Sequence, residues 1–189
     1  MVDLLRSATT GQYPSPGWDD LTGAQYVAVL AFGDRKEGDL HAPEPINQEL
    51  ARRAIGISGM LEGLPIIAQG EIADIIEGHE NLHVAKRIDS HRKEGRYLDT
   101  AEYLEQVAEH VAEKIDDLKL GVKGIAVAQA FHVGRVVAQG KKAGLDLIPA
   151  GDLPRDFDPE STQWWTRSRA LWIMREIPVI AAFKLKGKL

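Results

Sequence analysis

Short apolar runs without polar alternation recur along this chain and constrain its fold more than any other feature. The first run is Tyr26–Phe32, which Gly33 and Asp34 follow, and a second run is Leu64–Ala68. An unbroken run of this length is typical of a strand that is buried on both faces. Such strands occur in parallel sheets that helices cover on both sides.

Segments with helical spacing of apolar residues separate these runs. Further strands are predicted at Leu82–Ile88, Gly124–Ala128 and Leu145–Ile148, and helices at Asn47–Leu61, Thr100–Leu118, Val133–Lys142 and Glu160–Met174. This alternation predicts a doubly wound, Rossmann-like α/β fold with a mostly parallel sheet and helices on both faces. We expect one domain over residues 1–189, with a polar leader at 1–23 and a closing helix and tail at 160–189.

Composition narrows the function classes. The chain has no cysteine, which excludes thiol catalysis and Cys-ligated metals and favours a reducing, cytoplasmic location. Its 23 basic and 28 acidic residues give a net charge of −5, which argues against nucleic-acid binding. The N-terminus lacks the pattern of a signal peptide, and no apolar run is long enough for a transmembrane segment.

Polar residues follow the predicted strands and point to a ligand site. They are Gly33 and Asp34, Gly70 and Glu71, the turn Tyr97–Thr100, and His132 with Arg135. Ligands of doubly wound sheets bind outside the carboxyl ends of the strands. We therefore expect Gly33, Gly70, Thr100, His132 and Arg135 to line one cleft.

Three other patterns carry little weight. Gly33–Gly38 lacks the residues of a P-loop and the spacing of a dinucleotide-binding turn. Side chains within Asp89–His91 point apart and cannot form a nucleophile triad. His79 and His83 have a metal-ligand spacing, but glycine and asparagine interrupt the helix and no third ligand is evident. We expect no metal site.

The order of the loop-end motifs resembles the YdcF-like family, also called ElyC/SanA/YdcF, from about Tyr26 to Lys188. The matching motifs are Gly33-Asp34, Arg53-Ala54, Gly70, Glu71-x-Ala73, Thr100-x-Glu102 and Phe131-His132-x-x-Arg135. The resemblance implies a Rossmann-like domain that binds a cofactor such as S-adenosylmethionine, envelope-related roles and no settled reaction. It also implies that Arg53 contacts the ligand. The chain departs from the family where Ala128-Gln129 replaces a Thr-Ser pair before the histidine, so its ligand can differ.

His132 and Arg135 are three residues apart and face the same way at a predicted helix start. Unpaired N–H groups and the helix dipole make that a place for an anionic small molecule, as phosphate or carboxylate. The alternative is a core histidine beside an arginine in a surface ion pair. We expect Arg135 near solvent, where its loss would affect ligand binding more than stability.

Other candidates also have two interpretations. Glu71 and Asp34 would supply carboxylates for general-base catalysis or for ribose hydroxyls, or would serve helix starts. Thr100 would contact a phosphate or cap its own helix, a role that Asp99 can also fill. The Trp-rich, basic C-terminus indicates a membrane-surface or partner contact, or a closing helix with Trp164 and Trp172 in its core stripe.

Two functions follow from these residues. The first is an enzyme, a hydrolase or transferase, that acts on a phosphorylated, nucleotide-like or S-adenosylmethionine-like molecule. In it His132 would be the acid–base, Arg135 the anion clamp and Glu71 the carboxylate partner. The second is a non-catalytic ligand-binding or interaction protein, because no nucleophile or metal set is evident. The sequence leaves an oligomer open.

Overall fold

The computed structural model describes residues 2–14, 16–37, 40–42, 44–79, 82–89, 98–114, 122–187 and 189. Strands are β1 Ala24–Val29, β2 Arg35–Glu37, β3 Leu40–Ala42, β4 Ile66–Gln69, β5 Lys86–Ile88, β6 Lys123–Val127 and β7 Asp146–Pro149. Helices are α1 Val2–Thr10, α2 Trp18–Leu21, α3 Pro45–Met60, α4 Gly70–Glu77, α5 Thr100–Lys114, α6 Val133–Lys142 and α7 Arg169–Leu185. Gly38, Ser90, His91, Tyr97, the end of the predicted helix at Leu118 and Lys188 lie outside the described residues.

The central sheet is parallel and confirms the predicted doubly wound fold. Its strand order is β5-β4-β1-β6-β7, and Val27 of β1 lies in register with Ile66 of β4 and Ile125 of β6. From β1 the chain proceeds outward to β4 and β5, and then crosses to β6 and β7 on the other side. The order therefore reverses between β1 and β6, where this class of sheet leaves a crevice for ligands. A separate antiparallel hairpin, β2–β3, follows β1.

Helices cover both faces of the sheet. Val27 and Val29 belong to one hydrophobic cluster with α3 and α4, whereas Ala28 and Leu30 belong to a second cluster with α5 and α6. This alternation arises because successive strand side chains point to opposite faces. It explains why the run from Tyr26 to Leu30 is apolar without alternation, although Gln25 near the start of β1 is polar and exposed.

Part of the predicted leader is a packed helix. Ser7 of α1 is buried, and its hydroxyl lies 3.3 Å from the carbonyl of Ala130 and accepts from the N–H of Gly134 at 3.2 Å. A side chain on Gly134 would overlap Ser7, so the glycine allows α1 to approach α6 closely. The segment is polar in composition, so the sequence did not indicate that it packs against α6.

The closing helix differs from the prediction at both ends. It begins at Arg169, where the Ser168 side chain caps it by accepting from the N–H of Leu171. It continues through Pro178 to Leu185, although the prediction placed a tail after that proline. Trp164, predicted in the core stripe, lies before α7 and is 44% exposed, whereas Trp172 is buried as expected. No helix in the described ranges has the length and apolar character needed to cross a bilayer.

Candidate functional site

A cavity of about 300 Å³ lies at the carboxyl edge of the sheet, where the strand order reverses. The segment 30–33 after β1, Gln69 at the end of β4, and the start of α5 form one side. The start of α6, the short 3-10 turn at Trp164–Thr166 and α7 form the other side. This is the place where open α/β sheets bind ligands.

Side-chain hydrogen bonds hold the loop after β1 in place. The side-chain carbonyl of Asn47 accepts from the N–H of Phe32 at 2.8 Å, and that of Gln69 accepts from the N–H of Ala31 at 3.2 Å. Gly33 adopts a positive φ of 84°, and the Glu44 carboxylate lies so close that a Cβ would overlap it. The glycine at the end of this strand is therefore required by both backbone and packing.

The structure brings together half of the predicted site residues. Gly33, Thr100, His132 and Arg135 all line the cavity. Among the described residues that line it, Gly70 is absent, and Gln69 lines it instead. Gly70 begins α4 and is covered by the Asp89 side chain, which a Cβ at this position would overlap. The expected five-residue cleft is thus correct for four residues.

Arg53, Asp34 and Glu71 are not among the described residues that line the cavity, and the first two hold loops in place. Arg53 donates to the carbonyls of Gly151 and Asp152 at 2.8 Å each, so it fastens the loop after β7. Asp34 is buried, and its backbone carbonyl accepts from the Thr162 hydroxyl at 2.9 Å. Glu71 lies in the first turn of α4, as its alternative interpretation predicted.

Arg135 is part of a buried ion pair. Its Nε donates to Oε1 of Glu176 at 2.5 Å, and the two side chains are 7% and 0% exposed. The expectation that Arg135 lies near solvent is wrong, because α7 covers the start of α6 at this point. Its Nη1 also donates to the Thr100 hydroxyl at 3.0 Å, so one guanidinium links α5, α6 and α7.

Thr100 and His132 are in direct contact inside the cavity. The Thr100 hydroxyl lies 3.0 Å from Nε2 of His132. The same oxygen accepts from Nη1 of Arg135, so it links the imidazole to the guanidinium. Thr100 does not cap α5, since Asp99 accepts from the N–H of Glu102 at 2.9 Å.

His132 is uncharged at neutral pH. Burial is the largest cause, and the Arg135 and Arg175 cations add to it, so that the pKa of His132 lies well below its usual value. The ring packs edge-on against Trp172 with 5.5 Å between centroids. A neutral imidazole can accept a proton from a neighbouring hydroxyl, but it adds no positive charge to the cavity.

Arg175 is a cavity residue that the site prediction missed. Its guanidinium lies over the Trp165 ring, 4.4 Å from the centroid, and 3.8 Å from Oε2 of Glu176. Burial and the neighbouring Arg135 lower its pKa from the usual value. Because Glu176 pairs with Arg135, Arg175 is the cation left over among these three groups, and the exposed Asp99 carboxylate also lines the cavity. The adjacent Arg175 and Glu176 are the sequence signal for this part of the site, since a buried carboxylate needs a cationic partner.

Two side chains that line the cavity carry buried donors without an acceptor among the described residues. Both Nε1 of Trp172 and Nε2 of Gln163 are buried without a hydrogen-bond partner. Leaving a buried donor unpaired costs about 1–3 kcal/mol, and a ligand oxygen at this position would remove that cost. The cavity therefore favours a ligand that is rich in acceptor atoms.

A cluster of acidic residues lies behind the Gly33 loop. Glu44 is fully buried near Asp34 and Asp158, and Asp158 forms an ion pair with Arg35. Burial and these two carboxylates raise the pKa of Glu44 to about 7, although the Ser161 hydroxyl and Arg35 oppose the shift. This group therefore titrates close to neutral pH.

Comparison of the chain with protein-family models, curated proteins and solved structures finds no match. The resemblance to the YdcF-like family stays a prediction. The function of the site is therefore argued from its geometry.

Replacing Glu176 with Leu should destabilise the fold strongly, because it leaves the Arg135 cation buried without a partner. The expected loss is about 3–5 kcal/mol of unfolding free energy, and the double variant Arg135→Met/Glu176→Leu should recover most of it. Urea denaturation measures both. Glu49→Leu, which removes an exposed pair with Arg52, is the control and should cost less than about 1 kcal/mol. A Glu176→Leu variant as stable as this control would contradict the buried pair.

Stability should depend on the ionisation of Glu44. Its pKa rises from 4.5 to about 7 on folding, so the folded protein holds a proton that the unfolded chain releases. The unfolding free energy should therefore fall as pH rises through this range. Glu44→Gln should flatten the fall in Tm, whereas Glu160→Gln, at an exposed carboxylate, should keep it. Parallel profiles for the parent and Glu44→Gln would show that another group titrates.

Proposed function

We propose that the cavity between β1 and β6 binds a small anionic molecule with a planar ring, such as a phosphorylated, nucleotide-like compound. The observation that carries this proposal is the set of unsatisfied donors beside the Arg175 guanidinium. Trp172 and Gln163 offer buried N–H groups, and Arg175 offers a partly exposed guanidinium. Phosphate and carboxylate oxygens satisfy such groups with charge-assisted hydrogen bonds.

Aromatic walls support a planar component in the ligand. Phe32, Trp165, Trp172 and Phe183 line the cavity with the polar groups. Planar rings pack on aromatic side chains in offset or edge-on arrangements, and a nucleobase has the size and shape for this. The volume of the cavity, about 300 Å³, lies at the lower end of the range for small-molecule sites.

The charge of the cavity discriminates between the ligand classes that the sequence suggested. S-adenosylmethionine carries a sulfonium and an ammonium cation, and the Arg175 guanidinium would repel either one placed beside it. A phosphate monoester carries the opposite sign and is attracted to this group. A nucleoside monophosphate is therefore favoured over S-adenosylmethionine.

Thermal shift measurements with adenosine monophosphate, glucose 6-phosphate and S-adenosylmethionine test this order. Arg175→Ala should weaken binding of the nucleotide by about tenfold to a hundredfold, since one charge-assisted hydrogen bond contributes about 1.5–3 kcal/mol. Arg175 is partly exposed, so the apo variant should melt close to the parent.

Arg52→Ala, at an exposed arginine on α3, serves as the matched control and should bind as the parent does. If Arg175→Ala and Arg52→Ala bind equally well, the anion does not contact Arg175. If S-adenosylmethionine raises the Tm more than either phosphate does, the argument from charge is wrong.

The contact between Thr100 and His132 favours a second candidate, group transfer through the Thr100 hydroxyl. With its ring proton on Nδ1, His132 would take the hydroxyl proton on Nε2 as Oγ1 attacks phosphorus, and the bond from phosphorus to the ester oxygen would break and release the alcohol or phenol as its anion. Against it, Nδ1 of His132 has no partner among the described residues to orient the ring.

Incubation with 4-nitrophenyl phosphate tests this candidate. A transferase or hydrolase of this kind should release 4-nitrophenolate and carry a phosphoryl adduct on Thr100, located by peptide mass spectrometry. Thr100→Ser should keep both signals, and Thr100→Val should lose them while still binding nucleotide. If Thr100→Val releases as much 4-nitrophenolate as the parent, or if the parent releases none, the group-transfer candidate is wrong and only the binding function is left.

A further inference from the structure

Helix α7 is apolar on its outer side as well as on its inner side. Trp172 and Ile180 are buried against the domain. An opposite set of exposed apolar residues, called here the outer stripe, repeats every three or four positions and consists of Ala170, Met174, Ile177, Pro178, Ala181, Ala182 and Leu185. Within it, Met174 is 59% exposed and Leu185 is 90% exposed. The helix therefore has two apolar faces. The described part of the domain covers the face with Trp172 and Ile180 and leaves the outer stripe exposed.

A helix on the outside of a domain normally has polar residues on its solvent side. Contiguous exposed apolar surface on a folded protein marks a contact with a partner or a membrane. The C-terminus can therefore contact either a membrane surface or a partner protein, and its exposed apolar residues lie on one face of α7. The charges around this face distinguish between the two.

The charged residues exposed on α7 and at its C-terminal end are basic, and Asp3 of α1 lines the same surface pocket as Lys184. Arg169 lies in its first turn, Lys184 lies in its last turn, and Lys186 follows it. The acidic residue within α7 is Glu176, which is fully buried in the pair with Arg135. This excess is local, since the whole chain has a net charge of −5. The occupant should therefore be apolar at its centre and negatively charged at its edges.

We propose that the outer stripe docks on the surface of an anionic phospholipid bilayer, with α7 lying in the plane of the interface. Met174, Ile177 and Leu185 would enter the boundary between headgroups and acyl chains, as the apolar faces of interfacial helices do. The Lys184 and Lys186 side chains at the C-terminal end would extend to the lipid phosphates, whereas the Arg169 guanidinium donates to the Thr9 carbonyl and stays on the domain.

A second copy of the chain fits the same face less well. Pairing two outer stripes around a twofold axis would bring the basic ends of both helices into one interface without exposed acidic residues of α7 to neutralise them. Like charges in a contact of this kind lower affinity. The outer stripe shares no residue with the described lining of the cavity, so docking through it is independent of the ligand that the cavity binds.

Vesicle sedimentation tests the proposal with the full chain. Vesicles of phosphatidylcholine mixed with phosphatidylglycerol should bind the protein at least about tenfold more tightly than pure phosphatidylcholine. Raising the ionic strength from about 0.1 M to 1 M should weaken this binding, because the Debye length falls from about 10 Å to 3 Å.

Met174→Glu should weaken vesicle binding by about tenfold or more, because it removes an inserted side chain and adds an anion. Met60→Glu is the matched control: Met60 ends α3 and is 60% exposed, against 59% for Met174. The control should bind as the parent does. Leu185→Glu, at a 90% exposed position, provides a second variant that leaves the fold intact if Met174→Glu does not fold.

Three results would overturn the proposal. One is equal binding to neutral and anionic vesicles, or none to either. Another is equal loss of binding in Met60→Glu and in the stripe variants. The third is concentration-dependent dimerisation in light scattering that Met174→Glu abolishes, which would assign the stripe to a second copy.

Discussion

The buried ion pair between Arg135 and Glu176 is the interaction on which the site depends. Arg135 lies in the first turn of α6, which follows a central strand, and Glu176 lies at the middle of α7, far along the chain. A charge buried in a protein needs its partner in place, so this pair fixes how α7 lies across the sheet edge. Thr100 joins the same guanidinium, and through it His132. The walls of the cavity are therefore set by one connected polar network.

The fold could be predicted because each local pattern agreed with the architecture. The apolar run Tyr26–Phe32, which includes most of β1, has no polar alternation because helices cover both faces of the sheet. Helix α6 matches its predicted bounds of Val133–Lys142. The rule that ligand residues follow strands then identified Gly33, Thr100, His132 and Arg135 as lining one cavity. Topology alone brought these distant residues to one edge.

Other parts of the site depend on packing that no local pattern records. Arg53 and Asp34 are of types that bind ligands, yet the structure uses them to fasten loops. Arg135 looked exposed because it starts a helix, but a helix forty residues later covers it. Trp172 and Arg175 are on a helix whose apolar pattern continues on both sides, so sequence could not assign one face to the cavity.

Pro178 divides α7 at a place that matters for the cavity. A proline has no N–H, so the carbonyl of Met174 lacks its usual helical donor, and helices bend at such positions. Trp172 and Arg175 line the cavity from the part before the proline, and Val179 and Phe183 from the part after it. One continuous helix therefore carries both parts of this wall. A change in its bend at Pro178 would move Val179 and Phe183 relative to Trp172 and Arg175, without any loop between them to absorb the movement.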